Sequence, residues 1–316
     1  MQVIEIKSYL LVFLYLNMIS CGHPADSGNN SAAVRNANPF GYDLSNPDKT
    51  IILPPVLIEI SGISVIDSTI VACVQDENGI VFIFDITKNE IRDQLIFHFP
   101  GDYEGIASVA GSYYVLRSDG TLFETGNDRS SVISEQPGST VRLPADYEGL
   151  CYDRRNHRLL IVPKNNPGRG SEDEKKHPVY ALDLQSEKDT VKAVLELDSQ
   201  SLKDSVKVAL EFDLADITRY AAENHIEISD DEKIISLMVS DIGIHPISNM
   251  LYAISAVNRM LFVFDEDGTI TYIEELKPEL FSMPEGISFL DNGDMLISNE
   301  GRTNPASILL FRYRTK

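Results

Sequence analysis

A chain of 316 residues, 43% apolar and 24% charged, is long enough to bury a full core. Its 27 lysines and arginines face 48 aspartates and glutamates, a net charge of −21 that repels phosphate backbones and excludes nucleic acid as an expected partner. The same sign disfavours adhesion to anionic lipid through a basic patch, and any carboxylates that converge in the fold need a cation beside them.

Residues 1–20 read as an export signal. Lys7 precedes the apolar run "YLLVFLYLNMIS", which is shorter than the roughly 20 residues a membrane span requires. The run ends in "MISC", similar to a bacterial lipobox, with Ile19 and Ser20 before Cys21 as the lipidation site. Met18 stands where leucine is usual, and Glu5 weakens the basic start. The expectation is a lipoprotein of the cell envelope, periplasmic or outer-membrane, that meets the membrane only through its lipid. Residues 21–49, small and polar at first, read as a flexible tether. The other cysteines, Cys73 and Cys151, lie in strand-like runs with no CxxC and no histidine-rich surroundings. They read as small buried hydrophobes, with a disulfide between them left open.

Residues 50–316 read as one all-β domain built on a repeat. A glycine followed by an aliphatic residue recurs at Gly62, Gly105, Gly149, Gly243 and Gly286, spaced 43, 44, 94 and 43 residues apart. After each comes a short apolar run, a turn, a second run, and further strand-like runs. Asn78-Gly79, Asp119-Gly120, Asp267-Gly268 and Asn292-Gly293 lie between such runs, where tight hairpins need positive φ. Alternation in "VFIFDI" and "LFVFDE" predicts strands with one face more buried than the other. Units of this length with about four antiparallel strands predict a β-propeller of five blades, with six as the competing count because of the long spacing. That spacing is filled by a polar loop at 165–176 and by "LADITRYAAENH", which predicts a short helix over 214–225 with Asp213 as its N-cap. The last unit offers three strands, and "TIILPPVLIEI" from Thr50 supplies the fourth, closing the ring.

In such a ring the first strand of each blade lines the central channel, and the marker glycine lets neighbouring backbones approach. The residues just before the markers are Ser61, Glu104, Glu148, Ile242 and Glu285, with Glu59 and Asp241 beside the two that are not acidic. Carboxylates in one structural phase predict a cation at the channel mouth. Ca²⁺ is the first choice, held by Glu104, Glu148 and Glu285 with Glu59 and Asp241 as further ligands. The competing account pairs each glutamate with backbone N–H groups, with Lys164 or with Arg117. The second strands end in polar groups that would edge the same mouth: Asp76, Arg117, Lys164, Asn299 and Glu300. "FDEDGT" lacks the bidentate glutamate of a calcium loop and reads as a hairpin. No catalytic motif of the GxSxG or HExxH kind is present, and His98 and His245 read as structural.

The phrases "DYEGIA", "DYEGLCYD", "DIGIHP", "MPEGISF" and "LISNEG" resemble the SdiA-regulated family of bacterial propeller proteins, often lipoproteins, over Glu59 to Tyr313. The resemblance implies five blades, a bound Ca²⁺, a distant relation to NHL-repeat proteins and no settled enzymatic activity. A glutamate before the first-strand glycine is also similar to the calcium ligand of gluconolactonase and regucalcin-type propellers. There Asp241 matches one further ligand and the asparagine of that set has no counterpart. Phytase-like esterase propellers are a weaker comparison. The residues therefore predict a calcium-binding module for a small molecule, a glycan or an envelope protein. A calcium-dependent lactonase or esterase is the alternative, and the sequence names no reaction.

Overall fold

The computed structural model describes residues 41–126, 146–165, 175–184, 206–228 and 235–314. The expected signal, Cys21 and most of the expected tether lie outside these residues, as does most of the 165–176 loop. Among the described residues nineteen strands build five sheets. Strand β1 covers Lys49–Ile52. The first blade is β2 (Ile60–Val65), β3 (Ile70–Gln75), β4 (Ile80–Asp85) and β5 (Glu90–Ile96). The second is β6 (Tyr103–Val109), β7 (Ser112–Arg117) and β8 (Leu122–Gly126), three strands among the described residues. The third is β9 (Tyr147–Asp153), β10 (Arg158–Pro163), β11 (Lys176–Asp183) and β12 (Val206–Asp213). Helix α1 (Leu214–Glu223) follows it. The fourth is β13 (Asp241–Ile244), β14 (Leu251–Ser255), β15 (Met260–Phe264) and β16 (Ile270–Glu275). The fifth is β17 (Pro284–Phe289), β18 (Met295–Asn299) and β19 (Ser307–Phe311), completed by β1. The propeller has five blades, and the long spacing belongs to the third blade and its helix.

Closure is by the N-terminal strand. β1 pairs antiparallel with β19, Ile51 opposite Ile308, and the Leu53 N–H donates to the Ala306 carbonyl at 2.9 Å. A strand from one end of the domain thus completes the sheet of the other end, and the ring has no gap to open.

The core is divided among the gaps between blades. In β15, Met260, Phe262 and Phe264 join a cluster with Leu160 and Val179 of the third blade. Leu261 and Val263, between them, join Ile287 and Ile297 of the fifth. Period-two alternation therefore sends successive residues into two different gaps, both dry. This corrects the expectation of one preferred face: all five residues of β15 are buried because a neighbouring blade covers each side of the sheet. One-sided alternation survives on an outer strand such as β5, where solvent replaces the neighbour.

Helix α1 seals the gap between the third and fourth blades. Leu214, Ile217 and Ala221 are buried on one face, and Tyr220 packs beside them. Asp213 caps it, its Oδ1 accepting from the N–H groups of Ala215 at 2.9 Å and Asp216 at 3.1 Å.

The inner strands β2, β6, β9, β13 and β17 stand around the axis in that order. A Cβ on Gly62 would lie 2.9 Å from the Glu104 carbonyl, and one on Gly105 would lie 2.7 Å from Leu150 Cβ and 2.9 Å from the Glu148 carbonyl. A Cβ on Gly149, Gly243 or Gly286 would come within 3.0–3.2 Å of the next inner strand, and one on Gly149 or Gly286 would first strike Val162 or Ser298 of its own blade. The channel-facing edge of these strands has no ladder partner, and side chains of the neighbouring blade cap it. The Val65 N–H donates to Ser288 Oγ at 3.1 Å and the Ser108 N–H to Ser64 Oγ at 2.9 Å. The Ile244 N–H donates to the thiol sulfur of Cys151. Both Cys73 and Cys151 are free thiols, Cys73 fully buried.

Three of the four Asx-Gly pairs make the expected turns, with φ of +81° at Gly120, +85° at Gly268 and +89° at Gly293. Gly79 does not have positive φ. Its place is required by contact instead, because a Cβ there would collide with the His98 carbonyl.

A chain starting at Pro54 loses β1 and the buried Ile51 and Leu53. Loss of one such side chain costs about 2–5 kcal/mol, and each kcal/mol shifts Tm by about 2–4 °C in a domain of this size. Calorimetry should show a Tm at least 5–10 °C lower; an unchanged Tm would mean that β1 does not close the ring.

Candidate acidic mouth

All five inner strands start at one end of the channel, and their antiparallel partners β3, β7, β10, β14 and β18 finish there. Three of the starts carry a β-bulge at the residue before the marker. Tyr103 pairs with Arg117 and Gly105 with Leu116, so Glu104 has no opposite residue. Glu148 is skipped between Tyr147 and Gly149, and Glu285 between Pro284 and Gly286. In the first blade the shift spans Ser61 and Gly62. A bulge leaves one residue out of the ladder and re-aims its side chain. Here it turns glutamates of the second, third and fifth blades toward the mouth.

These glutamates lie in each other's field. Burial is the largest cause that pushes Glu104 up to about 9, followed by the charge of Glu148 and by the charge and hydrogen bond of Asp102. Burial and then Glu148 push Glu285 up to about 7, against a hydrogen bond with Ser240. Glu148 accepts from Lys164 Nζ, and burial lifts it above the ordinary carboxylate range in spite of that partner. Lys164 feels all three glutamates, Glu148 first, and its ammonium is held in the charged form. One lysine therefore faces three carboxyls from three blades.

Asp241 enters the same end differently. Its Oδ1 accepts from the Leu150 N–H at 3.2 Å and its Oδ2 from the Ile287 N–H at 2.9 Å. It ties β9 to β17 across its own blade. Burial holds its pKa well above the ordinary value, with the Ile287, Ile242 and Leu150 N–H groups opposing.

A second acidic group lies where the first and fifth blades meet. Burial first, then the charges of Glu59, Glu300 and Asp102, push Asp76 up to about 6. Burial also raises Glu300, against Arg302, and Glu59 adds to that rise. Glu300 in turn acts on Glu285, so the two groups share one mouth. Asp76 Oδ1 and Asn299 Oδ1 are buried without a hydrogen-bond partner, while Asn299 Nδ2 donates to the Leu280 carbonyl at 3.3 Å.

Arg117 stands apart from the glutamates. It binds Asp119 through Nε at 3.0 Å and Nη2 at 2.9 Å, reaches Thr121 Oγ1 at 3.0 Å, and covers the Phe123 ring. Two participants escaped the sequence reading. Asp102 accepts from Ser118 Oγ at 2.5 Å and acts on Glu104, Glu148 and Asp76. Ser240 hydrogen-bonds Glu285. The repeated Asp-Tyr-Glu-Gly phrase did signal Asp102, two residues before the glutamate.

Among the described residues, no three His, Cys, Asp or Glu side chains converge closely enough to hold a metal as they stand. The donor set is nonetheless all oxygen, and its orphaned Asp76 and Asn299 oxygens suit a hard cation such as Ca²⁺.

No protein-family model matches the chain, and no curated protein matches it in sequence. Among solved structures it is similar to the glutaminyl cyclase of Myxococcus xanthus, at 12% identity and a TM-score of 0.52, over 85% of this chain and 96% of that one. The chain is a β-propeller. A chain of a nidogen/laminin complex aligns at 9% identity and a TM-score of 0.45, over 76% of this chain and 72% of that one. At these identities the likeness to the cyclase concerns the propeller fold alone.

The raised carboxyls fix a pH dependence. Between pH 7 and 9 an unfolded chain has Glu104 and Glu285 ionised, whereas the fold keeps protons on them up to about 9 and about 7. The folded state binds more protons in this window, so stability falls as pH rises through it. His177 and His245, lowered by burial to about 4, are neutral in both states there. In chelator-containing buffer, Tm should drop from pH 7 to pH 9, and Glu104→Gln should flatten the drop; an equally steep profile in the variant would remove Glu104 as a cause.

Proposed function

We propose that this chain is a binding propeller whose acidic mouth takes a cation, Ca²⁺ before others, and so presents one face to a small molecule, glycan or envelope protein. One observation carries the reading: half-buried Glu104 and Glu285 and buried Glu148, from three blades, lie in each other's field, and among the described residues Lys164 is the cation that answers all three. Buried like charges need a counter-charge, and a divalent cation with oxygen ligands provides it. Lys164 is 39% exposed along its side chain and has room to swing aside. Glu59, Asp76, Asn299 and Glu300 supply further oxygens on the same mouth. The lipobox-like "MISC" at Cys21 and the phrases resembling the SdiA-regulated family support a tethered envelope role. Among the described residues, no helix is long and apolar enough to cross a membrane.

Titration calorimetry of chelator-treated protein with Ca²⁺ tests this. Binding should tighten from pH 6 to pH 9 and release protons, because the glutamates must ionise to coordinate. Glu148→Gln and Glu285→Gln should each weaken it by about tenfold or more. Failure to bind below about 1 mM would end the proposal.

The spread of acidities favours a second reading as a calcium-dependent lactonase or esterase. A carboxyl near 7 is suited to accept a proton from water, and one near 9 to hold a proton for a leaving group. In this reading Glu285 is the base and Glu104 the acid, so neither would ligate the metal, and a Ca²⁺ that polarises the carbonyl would be held by Glu148 and the oxygens of Glu59, Asp76, Asn299 and Glu300. The solved neighbour is a glutaminyl cyclase, so a substrate panel should join peptides with N-terminal glutamine to lactones and phosphoesters. Turnover lost in both Glu285→Gln and chelator would establish catalysis, and silence across the panel would leave the binding role.

A further inference from the structure

The inner strands run from the acidic mouth to the other end of the channel, and a cavity of about 390 Å³ opens there. Its lining runs up the inner strands to Ile63, Ile106, Leu150 and Ile287, the residues after four of the marker glycines, with Ser64, Ser108 and Ser288 one or two residues nearer the strand ends on three of them. Leu210, Pro246 and Phe289 give it apolar walls. The rim is made of charges of both signs. Arg154 and Arg155 stand on the β9–β10 hairpin of the third blade. Arg154 reaches past the fourth blade to Asp291 on the β17–β18 hairpin of the fifth, at 3.3 Å, and Arg155 binds Glu266 on the β15–β16 hairpin of the fourth. Both guanidinium groups therefore lie over the opening.

These pairs are made to be exchanged. Side-chain exposure is 75% and 84% for Arg154 and Asp291, and 62% and 60% for Arg155 and Glu266. Exposed ion pairs add little stability. A ligand carboxylate can take a guanidinium from its partner at small loss, but a simple anion would strand Asp291 or Glu266 beside it in a protein already at −21. A ligand that carries an ammonium as well satisfies both halves of a broken pair. A cavity of this volume is at the small end of ligand sites and suits a molecule of one or two amino-acid residues.

We propose that this second mouth binds a small zwitterion, an amino acid or dipeptide with apolar side chains. The carboxylate would sit on Arg154 and Arg155, and the ammonium on Asp291 or Glu266. The site is separate from the acidic mouth and does not rest on Ca²⁺.

Titration calorimetry of the mature chain with leucyl-leucine, N-acetyl-leucyl-leucine and leucyl-leucine amide tests the proposal. The free dipeptide should bind about tenfold more tightly than either blocked form. Arg154→Ala with Arg155→Ala, both exposed positions whose folding is checked by Tm, should weaken it by about tenfold or more. Glu266→Ala with Asp291→Ala should erase the preference over the N-acetylated form. No binding of the free dipeptide at about 10 mM, equal affinity for all three forms, or binding untouched by the arginine variant would each overturn it.

Discussion

Five backbones converge on one axis only if a side chain is missing at the narrowest place, and the rest of this molecule follows from that constraint. Gly62, Gly105, Gly149, Gly243 and Gly286 leave out the Cβ that would strike the next strand. Converging edges also lose their ladder partners on the axial side, so each needs another acceptor for its N–H groups. Ser64, Ser288, Cys151 and Asp241 fill that need from neighbouring blades. Sterics and hydrogen bonding thus fix positions within two residues of each other on the inner strands, and the ring is specified at its centre as well as at its closure by β1.

Much of this was legible in the chain, because the glycine requirement repeats in phase with the blade. The five markers, the closing strand and the Asp213 cap are local signals, each readable within a few residues. What escaped was decided across blades. The bulges at Glu104, Glu148 and Glu285 are offsets between two strands, and no single strand announces them. The burial of both faces of β15 depends on two neighbouring sheets. Gly79 was read as a turn glycine, yet the nearby His98 backbone is what demands it. Arg117 was placed at the mouth by its position in the strand, while Asp119 and Thr121, two and four residues on, hold it within its own hairpin. Of the candidate site, the three glutamates and Lys164 were visible as residue types in phase. Ser240 was not, and Asp102, though it repeats in the Asp-Tyr-Glu-Gly phrase, gave no sign that it faces Glu104.

The contrast between Asp241 and the glutamates separates structure from unmet need. All are acidic, carried at the start of inner strands and pushed up chiefly by burial. Asp241 is answered by backbone N–H groups from two other blades, which hold it in place whatever binds nearby. Glu104 is answered by another carboxyl, Asp102, and can keep that contact only by holding a proton. A carboxyl held against its own kind, with Lys164 shared among three, is a poor structural device, since a hydrophobic residue would fill the place without the penalty. Perturbed carboxyls of this second kind are what makes this end of the channel the candidate site.

The two ends of the channel then differ in how they meet charge. At the acidic mouth the carboxyls are mostly half-buried and outnumber Lys164, so a ligand would have to add positive charge there. At the other end the charges are exposed and already paired, so a ligand would enter by exchange and bring both signs. An inner strand of six or seven residues spans roughly 20 Å, which places the two ends beyond a Debye length of each other at physiological salt. Coulombic coupling between them is therefore weak. Any communication runs through the inner strands themselves, where Asp241 clasps Leu150 and Ile287 just behind the acidic mouth and Ser64 and Ser288 clasp the same ring near the other cavity.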